Sequence, residues 1–115
     1  MGRVISVHEY TLKPGVDESS FERAIQQAEA KGLLQLPGLV EHHFVKGIRG
    51  VRRGHYAAVW IYSSLDAWEA LWGAIDEPIS AEQYPENWQE WEDQVLNRYL
   101  DGEPDRIIFT AYEEI

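Results

Sequence analysis

The chain contains no cysteine. That excludes a disulfide framework, thiolate metal sites and thiol nucleophiles, and it is compatible with a reducing compartment. No apolar run approaches the roughly twenty residues needed to cross a bilayer as a helix, and no stretch reads as a signal peptide. Cytoplasm is therefore the expected location. Basic residues are scarce: 10 Lys and Arg stand against 20 Asp and Glu, for a net charge of -10. The imbalance lies in the second half, where residues 54–115 hold 2 basic and 14 acidic side chains. Such a surface disfavours nucleic acid and anionic membrane as partners. The P-loop, GxGxxG and HExxH patterns are missing, as is any nucleophile-elbow or Ser-His-Asp signature. No cofactor or metal is assigned from the sequence.

What is present is enough apolar material for one domain. The 115 residues are 44% hydrophobic and include five tryptophans. The central stretch runs from Arg53 to Ser63 and reads as a strand. Ala57, Val59 and Ile61 make an aliphatic side, and Tyr56, Trp60 and Tyr62 an aromatic one. Two different apolar faces suggest cover on both sides. A helix layer is expected on the aliphatic side, and a cavity or partner on the aromatic side.

A first strand is expected over Arg3–Leu12, with Val4, Ser6, His8 and Tyr10 on one side and Ile5 and Val7 on the other. Lys13-Pro14-Gly15 ends it. A helix follows, with Ser19 as cap, Glu22 as its capping-box partner and Phe21, Ala24, Ile25 and Ala28 as its apolar face; Gly32 stops it. Leu39–Lys46 reads as the second strand. The glycine-rich basic connection Gly47–Gly54 makes it a hairpin with the central strand. Ser63 or Ser64 caps a helix bearing Ala67, Trp68, Leu71, Trp72 and Ile75. Pro85 opens an additional helix near 85–100, carrying Trp88, Trp91, Val95, Tyr99 and Leu100. Asp101-Gly102-Glu103-Pro104 ends it, and the last strand is expected from Asp105 to about Tyr112.

The order β-α-β-β-α-(α)-β predicts an α+β, ferredoxin-like four-stranded antiparallel sheet with helices on one face, in one domain spanning 1–115. The other face, assigned His8, Tyr10, Phe44, Tyr56, Trp60, Tyr62, Ile108 and Tyr112, would be too apolar to stand bare. A homodimer through the sheets is the simplest cover.

This element order resembles the dimeric α/β-barrel superfamily. So do the Leu36-Pro37-Gly38-Leu39 turn before the second strand, and the aromatic strand followed by a Trp-bearing helix. The resemblance implies two ferredoxin-like subunits packing their sheets into a barrel, with a ligand often held between sheet and helices. Members include antibiotic-biosynthesis-type monooxygenases, haem-degrading proteins, muconolactone-isomerase-like enzymes and stress-response proteins.

His8 and Tyr10, two apart on one strand face, are the candidate catalytic pair: a histidine works as a base near neutral pH. Candidate binding residues are His42, Phe44, Tyr56, Trp60, Tyr62, Trp68, Trp72 and Tyr112, an aromatic set suited to a small hydrophobic ligand. Ordinary packing is the competing reading for each. His42 and His43 point to opposite faces and cannot chelate one metal together. His43 is expected on the helix side or near the edge. The leading expectation is a cofactor-independent monooxygenase-like enzyme acting on a small hydrophobic or phenolic compound, with oxygen chemistry implied by the resemblance. The alternatives are a non-catalytic small-ligand or haem-binding protein, with His8 or His42 as axial ligand, or a purely structural dimer.

Overall fold

Alternation and turn chemistry produce a four-stranded sheet. The computed structural model describes residues 2–102 and 107–115. Its elements are β1 (Val4–Tyr10), α1 (Glu18–Ala30), β2 (Leu39–Lys46), β3 (Tyr56–Tyr62) and α2 (Leu65–Trp72), then a two-residue ladder of β4 (Gly73–Ala74) with β5 (Glu77–Pro78). A composite helix follows: α3 (Glu86–Trp91), a π-helical stretch (Glu92–Leu96) and α4 (Asn97–Tyr99), and β6 (Ile108–Glu113) closes the chain. The expected strand start at Asp105 and the Glu103-Pro104 part of the helix stop lie outside the described residues. The main sheet is antiparallel throughout, in the order β2-β3-β1-β6. This is the ferredoxin-like fold.

The two sheet faces are reversed relative to the expectation. The aromatic side lies beneath the helices, and the aliphatic side is open. Tyr10, Tyr56, Trp60 and Tyr62 are buried against Phe21, Ile25 and Ala28 of α1 and Trp88, Trp91, Val95 and Leu96 of the composite helix. The physical reason is size matching. Bulky rings on β3 meet bulky rings on the helices, edge to face: Phe21–Tyr56 at 5.1 Å and Trp60–Trp88 at 5.1 Å. Ile5, Val7, Ala57, Val59 and Ile61, with short flat side chains, form the other face and stay only half-buried.

Register corrects two further placements. His8 stands opposite Phe109, whereas Ile5 faces Tyr112 and Glu9 faces Ile108. Ile108 and Tyr112 therefore share the open face, and Tyr112 does not join the aromatic set it was grouped with. His43, opposite Val59, lies on the open face of the edge strand β2, which agrees with the expected place near the edge and not with the helix side.

Local signals set the helix ends. The cap of α1 is Asp17, not Ser19; its carboxylate accepts from the hydroxyls of Ser19 and Ser20, which holds its pKa below the usual range. Ser64 caps α2 by accepting from the Ala67 amide at 3.1 Å. Pro85 is the cap of α3, one position before the helix starts. Trp88, Trp91, Val95 and Leu96, at positions i, i+3, i+7 and i+8, form the buried stripe of the composite helix across its π stretch.

Candidate functional site

A cavity of about 370 Å³ opens between the sheet and the segment that follows β3. Ser6 and His8 of β1 with Phe109 and Ala111 of β6 make its floor. Alternation places those four on one face, and the β1–β6 register sets them side by side. Trp68 and Trp72, four apart on α2, form one wall together with Ala74 and Pro78 of the small hairpin. Tyr84, just before the composite helix, and Trp88, Glu92 and Leu96 within it close the cavity. Trp72 packs edge-on against both Tyr84 and Trp88, at 5.3 Å each. The walls are thus rigid aromatic planes, and the volume suits a small organic molecule.

His8 is the ionisable group on the floor that burial changes most. Its imidazolium is pushed down to about 4, because aromatic walls replace water around the ring. It is therefore neutral at pH 7. Its Nε2 lies 3.2 Å from the Ser6 hydroxyl, and its ring touches Phe109, Trp60 and Trp88 at centroid distances of 5.6 to 6.1 Å. Tyr62 reaches the cavity too. Its hydroxyl accepts from Trp72 Nε1 at 3.2 Å, and burial raises its pKa to about 12, so it remains protonated.

Of the expected site residues, the structure brings together His8, Tyr62, Trp68 and Trp72 around the cavity. It places the others elsewhere. Tyr10 is enclosed in the core against Phe21, its hydroxyl has no hydrogen-bonding partner among the described residues, and burial raises its pKa. The His8–Tyr10 pair shares a face but not a cavity. His42 bonds Glu29 at 2.8 Å and stacks on Trp60. Trp60 itself is 0% exposed and underlies the cavity without bordering it. Phe44 packs on Trp60 and Trp91, and Tyr56 donates to Glu22. Tyr112 is on the opposite face of the sheet.

The sequence reading missed Ser6, Tyr84, Phe109 and Ala111 as lining residues. The parity of β6 against β1 was the signal for Phe109 and Ala111, and it depends on a strand register that alternation alone does not set. Among the described residues no three His, Asp or Glu side chains converge on a metal-sized site. No helix among them is long and apolar enough to cross a membrane.

No family model and no curated protein matches the chain. Solved structures do. A DABB family protein with a ferredoxin-like fold from Mesorhizobium loti superposes at TM-score 0.67 and 11% identity, over 100% of this chain and 99% of that one. A dimeric ferredoxin-like protein of unknown function from Thermobifida fusca gives 0.66 and 11%, over 99% and 93%. SnoaB, a cofactor-independent oxygenase from Streptomyces nogalater, gives 0.61 and 14%, over 100% and 95%. At such identities the likeness is one of fold alone, the ferredoxin-like fold.

Proposed function

We propose that the protein is a homodimer whose subunits each bind a small phenolic or similarly electron-rich hydrophobic compound in this cavity, with His8 as the base that takes the hydroxyl proton. The observation that carries the reading is a neutral histidine on the floor of an aromatic-walled cavity. Burial disfavours an isolated imidazolium. Proton transfer from a bound phenol instead creates an imidazolium–phenolate pair, whose mutual attraction offsets that cost. SnoaB, which shares the fold, is a cofactor-independent oxygenase, and the ionised ring has the electrons for a reaction of that kind. Dioxygen accepts one electron from the phenolate, the radical pair recombines to a peroxide, and loss of water leaves a quinone. Substrate is oxidised and dioxygen reduced, so no further reductant is consumed.

The dimer half rests on the open sheet face. Val45, Val59, Ile61, Ile108 and Tyr112 form an apolar surface that a monomer would leave wet. A second copy's sheet, stacked about 10 Å away, would cover it. The dimeric neighbour of the same fold supports that occupant. Polar pairs, His43–Glu41 at 2.8 Å and Arg52–Glu9 at 3.1 Å, accompany it on the same face.

Oxygen uptake with a panel of dihydroxynaphthalenes tests the enzyme reading. One dioxygen consumed per quinone formed, abolished in His8→Ala, is the expected result. Saturable binding without any uptake would replace it with the non-catalytic ligand-binding reading.

A further inference from the structure

Ser6 and His8 meet through Ser6 Oγ and His8 Nε2, 3.2 Å apart, on the cavity floor. Ser6 is 3% exposed, in the middle of β1 with ladder partners on both sides. The His8 contact is the side-chain hydrogen bond its hydroxyl makes among the described residues. His8 Nδ1 makes none among them. The ring cannot swing freely, since Phe109, Trp60 and Trp88 hold it on three sides. One nitrogen is thus committed to Ser6 and the other is left for whatever enters.

Which nitrogen carries the proton decides what the cavity accepts. A neutral imidazole has one N–H, fixed in the ring plane, whereas a serine hydroxyl proton rotates. A buried N–H without a partner is the costlier defect, so the rigid donor is satisfied first. Nε2–H donating to Ser6 Oγ meets that demand. The opposite arrangement would leave Nδ1–H with no partner among the described residues. Neutral histidine side chains also favour the Nε2–H form intrinsically.

We infer that Ser6 is a positioning residue for His8: it holds the ring in the Nε2–H tautomer, leaves the Nδ1 lone pair as the acceptor inside the cavity, and so selects neutral hydroxyl donors, phenols or enols, over ethers and carboxylates. The ligand half rests on the phenol-site reading proposed above. A carboxylate would enter unpaired, because neither Lys nor Arg is among the described lining residues. An ether of the same shape would leave Nδ1 without a donor.

Long-range ¹H–¹⁵N correlation spectra at pH 7 read the tautomer directly, with the His8 signals assigned from their loss in His8→Gln. Wild type is expected to show a single Nε2–H form. Ser6→Ala should show a mixture of forms, and Ser6→Thr, which keeps the hydroxyl, should restore the single one. A proton on Nδ1 in wild type overturns the inference, as does an unchanged single tautomer in Ser6→Ala. If Ser6→Ala fails to fold, Ser6→Val, close in shape to Ser6→Thr but without the hydroxyl, takes its place with the same two outcomes.

Tryptophan fluorescence titrations with 2-naphthol and 2-methoxynaphthalene test the ligand class. Wild type should prefer the naphthol by about three- to tenfold, the worth of one neutral hydrogen bond, and Ser6→Ala should lose the preference. Equal binding of the two probes overturns the selectivity but leaves the cavity reading in place. Binding of neither overturns the phenol site, and the selectivity with it, while the tautomer spectra still judge Ser6.

Discussion

His8 has an ordinary neighbourhood in sequence and an unusual one in space. Between Val7 and Glu9 it reads as one polar residue of a strand; in the fold it is a neutral ring under aromatic walls. That difference has a consequence for stability. As pH falls, the unfolded chain takes up a proton near the usual 6.5, while the folded chain resists until about 4. The unfolded state therefore binds more protons across that window. Stability contributed by the neutral ring is fully present above 6.5 and is lost as pH drops towards 4. The full shift corresponds to about 3 kcal/mol. Urea melts at pH 7 and pH 4.5 should show a smaller acid loss in His8→Gln than in wild type. Equal losses would mean that the ring is not held neutral. Ser6 was invisible at this scale, because a lone serine in a strand carries no signal until its neighbour's ring is placed.

Among the elements, the turn before β2 shows how local chemistry positions the site. Gly38 adopts φ +79°, and a Cβ there would sit 2.7 Å from the Cβ of Ala67 on α2. The Gly38 carbonyl also accepts from the Ser63 amide at 2.9 Å. This turn thus pins the start of α2, and α2 carries Trp68 and Trp72 into the cavity wall. Gly38→Ala suffers both a left-handed backbone and a clash, and should cost about 2–4 kcal/mol by chemical denaturation. A cost below about 1 kcal/mol would show that α2 is free to shift. The Leu36-Pro37-Gly38-Leu39 turn was legible in the sequence, as were β2, the Ser64 cap and the composite helix near 85–100. The π stretch within that helix was not. Nothing in the spacing of Trp88, Trp91, Val95 and Leu96 departs from an ordinary α-helical stripe, so the pattern carried no sign of it.

For the whole molecule, element order and turns specified the ferredoxin-like sheet, but alternation could not say which apolar face the helices would cover. Both faces of β3 are hydrophobic. The deciding information lay in volume: Phe21, Trp88 and Trp91 on the helices need the Tyr and Trp side of the sheet. The same matching leaves the aliphatic side uncovered by helices, and the proposed second sheet would cover it. Val59→Asp, at the centre of that face, should convert the dimer to monomer in light scattering at micromolar concentration, because it would bury an unpaired charge. The helix-covered core should stay intact, with near-ultraviolet circular dichroism unchanged. A wild-type chain that is monomeric under the same conditions would remove the barrel assembly and leave the cavity within a single subunit.

Everything proposed for the cavity requires that it bind a phenol through His8. Calorimetric titration of 2-naphthol into wild type, His8→Phe and Tyr112→Phe tests it most directly. Wild type should show one saturable site per chain, His8→Phe should bind about tenfold or more weakly, and Tyr112→Phe, whose ring lies on the far side of the sheet, should be unchanged. Equal affinity in wild type and His8→Phe would contradict the proposal.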